Sequence, residues 1–263
     1  MTGCYLMNED KIMRLGVLGT GTIATAVVHG IARDINSDVD GDGLYHQITI
    51  SPRNKANAEM LAAQYDNVTI AENQQVIEAS DVIFLGLMPD VARAILPELN
   101  FKDGQIVISF IADLTLEDVG GMVAPAKAKA LMLPFPNIAH GNSVIPMIGD
   151  EAMVAEIFAP KNSLTVLKDQ DEMNAVLCAQ AVLSPAAKMV KDAAIWLEEN
   201  GVEMARGEPF LRMLVASNLA QTATPELLDA LNTEGGYNQR LRMHMDKEGM
   251  PQMLSAGLDS LKS

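Results

Sequence analysis

Apolar residues in the first half of the chain fall in short, nearly unbroken runs, separated by stretches where they recur at helical spacing. The runs Arg14–Leu18, Gln47–Ser51, Val68–Ile70, Val82–Leu87, Ile106–Phe110 and Ala130–Leu133 predict strands. Several are apolar at consecutive positions, as in strands covered on both faces. A weaker run, Ser143–Ile148, adds a closing strand. Between them the spacing predicts helices at Thr22–Arg33, Lys55–Tyr65, Val91–Leu96 and Leu114–Val119. This alternation is the pattern of an α/β, Rossmann-type, doubly wound parallel sheet.

Beyond about residue 160 the strand pattern all but stops. Ser184-Pro185 and Thr224-Pro225 place a capping side chain before a proline at a first helical position, Glu208-Pro209 does so with a weaker cap, and Asn200-Gly201 is a stop signal. Helices are expected at 170–183, 185–200, 209–223, 225–231, 237–248 and 251–262, with Val190, Ala194, Leu197, Leu211, Leu214, Val215 and Leu219 at helical spacing. The expected organisation is a flexible polar leader over 1–12, a dinucleotide-binding domain over 13–160, and an all-α dimerisation and substrate domain over 161–263.

Charge narrows the partners. The 263 residues carry 34 acidic against 19 basic side chains, a formal net charge of −15, which repels phosphate backbones and anionic lipid. No nucleic-acid or membrane partner is expected, no stretch approaches ~18 apolar residues, and no signal peptide is visible, so a cytoplasmic protein is expected. Cys4 and Cys178 lie too far apart in sequence to suggest a framework, and Cys178 reads as a small buried hydrophobe on a helix. His29, His46, His140 and His244 show no metal spacing and read as surface or capping residues; no metal is expected. The 17 methionines read as core filler. Asp38–Gly43 copies half of a calcium loop, but Thr49 stands where a bidentate Glu is needed, so the segment reads as an acidic turn.

The segment that carries chemistry is Gly16–Ala24, which ends a strand and opens a helix and contains G-x-G-x-x-A at Gly19, Gly21 and Ala24. Gly19 permits the tight turn, Gly21 lets a pyrophosphate approach the backbone, and Ala24 keeps helix and strand close. With Thr20, Thr22 and Ile23 these residues are the candidate phosphate cradle, aided by free N–H groups at the helix start. The second strand ends in Ser51-Pro52-Arg53-Asn54, without the acid that would hold a ribose 2′-hydroxyl. A hydroxyl and a guanidinium suit a 2′-phosphate, so NADPH is expected, with NADH as the alternative.

On these segments the chain resembles the pyrroline-5-carboxylate reductase family. Leu15–Gly30 is similar to that family's opening strand, glycine turn and helix, and Ser51–Asn54 to its cofactor-selecting turn. Ser80–Asp90 is similar to its fourth strand, with Leu87, Met88 and Pro89 at the cofactor-binding end. Leu133–Ala139 resembles its Met-Pro-Asn-Thr-Pro segment, keeping Pro136 and Asn137, and Asn232–Asn238 its paired-glycine loop. Three departures stand out: Met88 replaces a lysine, Gln180–Pro185 replaces a Gly-Ser-Gly-Pro-Ala stretch, and Asn238 follows Tyr237 where the family presents a hydroxyl.

The resemblance implies an NADPH-dependent oxidoreductase that reduces a cyclic imine carboxylate, 1-pyrroline-5-carboxylate or a related imine, as a homodimer or higher homo-oligomer. It places substrate at Gly235, Gly236, Tyr237 and Asn238, and assigns the catalytic positions to Asn238, Tyr237 and Asn137. The N–H groups of Gly235, Gly236 and Tyr237 are the expected carboxylate donors. A reductase with a different, larger or less polar substrate and a dinucleotide-binding protein without turnover are the other readings.

Overall fold

The computed structural model describes residues 12–33 and 46–262. Nearly all of the expected leader, Cys4 and the Asp38–Gly43 turn lie outside the described residues. By its internal contacts the chain divides into two compact units, Met1–Met173 and Asn174–Ser263.

The first unit is built on one eight-stranded sheet: β1 (Arg14–Leu18), β2 (Gln47–Ile50), β3 (Val68–Ile70), β4 (Val82–Leu85), β5 (Ile106–Ser109), β6 (Lys127–Met132), β7 (Val144–Gly149) and β8 (Ser163–Val166). Their spatial order is β3-β2-β1-β4-β5-β6-β7-β8. The first six are mutually parallel; β7 runs antiparallel to β6, and β8 is parallel to β7. Because β8 belongs to this sheet, the unit runs past the expected boundary at 160/161. Chain order reverses between β1 and β4, which opens a crevice at their carboxyl ends.

Helices cover both faces, so β4 is buried at every position. Val82 and Phe84 enter one core with Leu15, Val17 and Ile108, while Ile83 and Leu85 enter the other with Leu18, Val107 and Val76. In the first core Phe84 stacks on Phe110 at 5.5 Å and meets Phe158 edge-on at 5.9 Å. The helices are α1 (Thr22–Ile31), α2 (Lys55–Gln64), α3 (Asn73–Ala79), α4 (Pro89–Ile95), α5 (Leu116–Val123) and α6 (Glu151–Phe158). Neither α3 nor α6 was expected from the pattern. Two of the expected helices start elsewhere: α4 opens on Pro89 at its first position, and α5 is capped by the Thr115 hydroxyl, which accepts from Asp118 N–H at 3.1 Å.

The remaining helices are α7 (Gln170–Ala179), which crosses the boundary between the units, α8 (Leu183–Glu199), α9 (Met204–Gln221), α10 (Thr224–Ala230), α11 (Tyr237–Lys247) and α12 (Met250–Asp259). Of the two proline signals here, Pro185 falls in the first turn of α8, which opens two residues earlier than expected, and Pro209 lies inside α9. Pro185 needs no N–H partner in that first turn, and a 3-10 turn over Gln180–Val182 links α7 to α8. Helix α9 begins five residues ahead of Pro209, where Glu203 O accepts the N–H groups of Arg206 and Gly207 at 2.9 and 3.0 Å. The Asn200-Gly201 stop does end α8, with Gly201 in the left-handed region at φ 89°.

The joined run Gln170–Glu199 is long and apolar enough to cross a membrane by length and composition, with a mean hydropathy of 1.2 over its best 18-residue window. This differs from the expectation that no stretch approaches ~18 apolar residues. Only 6% of that window is buried, so its apolar side chains are largely uncovered. Leu183, Trp196, Phe210, Met213, Leu241 and Met253 are likewise exposed. Several methionines of this unit are therefore surface residues and not core filler, and Cys178 is half-buried.

Candidate dinucleotide site and substrate loop

The glycine turn lies between the carboxyl ends of β1 and β4. Gly86 N–H donates to Leu18 O at 2.8 Å, joining the two strand ends. Gly19 has φ 92°, and a Cβ there would stand 2.4 Å from Gly86 O, so neither the backbone angle nor the space admits a side chain. A Cβ on Gly86 would stand 2.7 Å from the Ala24 Cβ, which is how closely α1 approaches the strand. Gly21 caps α1 and has open space where a Cβ would project. The first intrahelical bond runs from Thr25 N–H to Gly21 O at 2.9 Å, so the amides of Thr22, Ile23 and Ala24 precede the ladder and are free to meet an anion. An open, donor-lined cradle at a helix start fits a pyrophosphate.

The end of β2 differs from expectation in two side chains. Ser51 is buried, and its oxygen accepts the Gly19 N–H at 2.7 Å; it holds the turn from beneath. Asn54 caps α2 by accepting Asn57 N–H at 3.3 Å, and its carbonyl takes the Thr20 hydroxyl at 3.3 Å. Arg53 is exposed and makes no ion pair among the described residues. It lines an open groove of about 490 Å³ with Pro52, Glu72, Asn73, Asp90 and Val91. Arg53 is the cation among the residues lining this groove, beside the carboxyls of Glu72 and Asp90, and Asp90 is itself 3.6 Å from the Arg93 guanidinium.

The sequence reading missed Asn57, whose amide donates to Thr20 O at 2.7 Å and ties the glycine turn to α2. It also missed Asn73 and the two groove carboxylates; the only available signal was their position just after β3 and β4. Met88 is 70% exposed and precedes Pro89 at the start of α4, so this strand end presents a thioether where a cation stands in the resembling family. Leu87 is buried and serves packing.

Asn137 is exposed on a 3-10 turn, Pro136–Ala139. That turn packs tightly on α1: a Cβ on Gly30 would stand 2.6 Å from Ile138 O. Nearby, His29 Nδ1 and the Tyr65 hydroxyl are 2.9 Å apart, and burial, Arg33 and His140 together push the His29 pKa down. His46, expected at the surface, is buried, and its Nδ1 accepts Met13 N–H at 3.2 Å; burial pushes its pKa down as well.

In the second unit Asn232–Asn238 is an exposed loop running into α11. Tyr237 is 89% exposed and Asn238 is exposed. Two of the three expected carboxylate donors are already taken: Gly235 N–H donates to Gln239 Oε1 at 2.9 Å, and Gly236 N–H to Thr233 O at 3.0 Å. The amides left without an intrahelical partner are those of Tyr237, Asn238 and Gln239, ahead of the bond from Arg240 N–H to Gly236 O at 3.0 Å.

Residues 14–113 match the family described as NADP oxidoreductase, coenzyme F420-dependent. No curated protein matches the chain. Among solved structures, a 1-pyrroline-5-carboxylate reductase from Streptococcus pyogenes superposes with a TM-score of 0.74 at 21% identity, covering 95% of this chain and 96% of that one. The pyrroline carboxylate reductase of Plasmodium falciparum, solved with NADP bound, gives 0.75 at 14% identity over 95% of both chains. A Coxiella burnetii pyrroline-5-carboxylate reductase gives 0.79 at 13% identity over 95% and 96%. The chain thus has the fold of these reductases over nearly its whole length, as the sequence resemblance implied.

Proposed function

We propose that the protein is an NADPH-dependent reductase of a cyclic C=N bond. The observation that carries the reading is the dinucleotide cradle at the β1–β4 crevice, set in a fold shared end to end with pyrroline-5-carboxylate reductases. Amides of Thr22, Ile23 and Ala24 would hold the pyrophosphate, Gly19 and Gly21 would let it approach, and Arg53 would meet the 2′-phosphate. A bound nicotinamide would supply a hydride to the imine carbon, and a proton taken up by nitrogen from solvent would complete the amine. An iminium carbon is electrophilic already, so the protein's task is mainly alignment. The Gly235–Asn238 loop is the proposed substrate seat, with Asn238 offering an amide that donates and accepts. Asn137 and Tyr237 complete the set of candidate catalytic residues.

The exposed apolar side chains of the second unit are proposed to be covered by a second copy of the chain, giving a homodimer or higher homo-oligomer. The reading is tested by following NADPH absorbance with cyclic imines and, as a control class, 2-keto acids. Turnover confined to imines supports it; turnover confined to keto acids, or none with either, refutes it.

A further inference from the structure

Thr20 is buried in the glycine turn, and all of its side-chain and carbonyl bonds run to its neighbours in α1 and at the start of α2. Its hydroxyl donates to Asn54 O at 3.3 Å; its carbonyl accepts Asn57 Nδ2 at 2.7 Å and the Thr25 hydroxyl at 3.3 Å. Asn57 stands in the first turn of α2, where Asn54 Oδ1 accepts its N–H at 3.3 Å, so its side chain starts from a fixed base. The Thr20–Gly21 peptide is trans and planar, and its N–H points opposite to its C=O. Holding Thr20 O toward α2 therefore turns Gly21 N–H away from α2. Gly21 is exposed, and this N–H has no partner among the described residues.

The peptide needs a lock because its second residue is glycine. Gly21 has φ −70°, and turning the peptide over would carry φ to roughly +110°, which a side chain resists and glycine tolerates. In the reversed state a carbonyl oxygen, not an N–H, would face an arriving phosphate and repel it. The Asn57 amide stabilises the donor-out state, since it needs Thr20 O as its acceptor.

We infer that Asn57 is a positioning residue for the cofactor: by holding Thr20 O it keeps Gly21 N–H aimed at the pyrophosphate, beside the amides of Thr22, Ile23 and Ala24. This rests on the dinucleotide site of the reading above and is independent of its imine substrate. The competing role is a brace for the start of α2.

The test combines titration of NADPH and NADH with phosphorus NMR of bound NADP⁺, which separates the pyrophosphate signals from that of the 2′-phosphate. Asn57→Ala weakens both cofactors by the same factor, about fivefold, and moves the pyrophosphate signals while the 2′-phosphate signal stays in place. A brace alone lowers the melting temperature and leaves affinities and pyrophosphate signals as they are. A second measurement needs no variant: in the wild type the Gly21 amide proton moves downfield and exchanges more slowly once NADP⁺ binds. A loss confined to NADPH, unmoved pyrophosphate signals, or a Gly21 amide indifferent to NADP⁺ overturns the inference and leaves the dinucleotide site standing. A wild type that binds neither cofactor overturns that site and the inference with it.

Discussion

Ser51 Oγ accepts the Gly19 N–H at 2.7 Å beneath the glycine turn, while Arg53, two residues on, stands exposed in the groove. One short segment thus divides two tasks: Ser51 fixes the glycine turn, and Arg53 is the proposed reader of a 2′-phosphate. Ser51→Ala leaves a buried N–H without its partner, costing about 1–3 kcal/mol of stability, and weakens NADPH and NADH together. Arg53→Ala weakens NADPH by about tenfold or more and leaves NADH nearly unchanged. Fluorescence titration of both cofactors against both variants separates the roles; a Ser51→Ala effect confined to NADPH would refute the division.

Close approach of α1 to the end of β4 is tested by Gly86→Ala. Its Cβ would meet the Ala24 Cβ at 2.7 Å, so helix and strand must part. Overpacking of this kind costs about 1–3 kcal/mol, and the shift also moves the phosphate donors at the start of α1. Thermal unfolding and NADPH titration are both expected to show a loss; normal binding by the variant would mean that the turn tolerates this displacement.

Much of this arrangement is legible in sequence, because β1, β4 and α1 follow from apolar runs and the spacing of Gly19, Gly21 and Ala24. What escaped depends on neighbours. Strand β8 is a mostly exposed edge of four residues, and although Ser163–Val166 alternates polar with apolar positions, the run is too short to stand out in sequence. Pro209 signals a helix start locally, yet the helix opens earlier, with Gly207 buried so close to Leu197 that an added Cβ would stand 3.2 Å from it. The burial of Ser51 and the filling of Gly235 N–H depend on side chains reaching across a turn, which spacing does not encode. The family resemblance located the paired-glycine loop but could not show that Gln239 occupies it.

Acid stability provides a further test. Burial lowers the folded-state pKa of His46, so the unfolded chain binds a proton more readily. The stabilising contribution is full above the unfolded value of about 6.5 and is lost as pH falls through the folded value. His29 adds to it with the same sign. The melting temperature should fall below about pH 6.5, and His46→Gln, which keeps an acceptor for Met13 N–H, should flatten that fall. An unaltered pH profile in the variant would remove His46 from the account.

Assembly can be read directly. Leu183, Trp196, Phe210 and Met253 are exposed large apolar side chains of the kind that an interface covers. Light scattering at micromolar concentration should give a dimer or a multiple of it. A monodisperse monomer would contradict the proposed covering by a second copy.

The most direct test of the central claim follows the hydride itself. NADPH deuterated at the transferring position is incubated with the protein and 1-pyrroline, and the pyrrolidine product is examined by NMR. The account predicts a single deuterium on the carbon that was double-bonded to nitrogen, and loss of labelling when Arg53→Ala is assayed at limiting NADPH. Product without deuterium, or no product while NADPH remains bound, would contradict it.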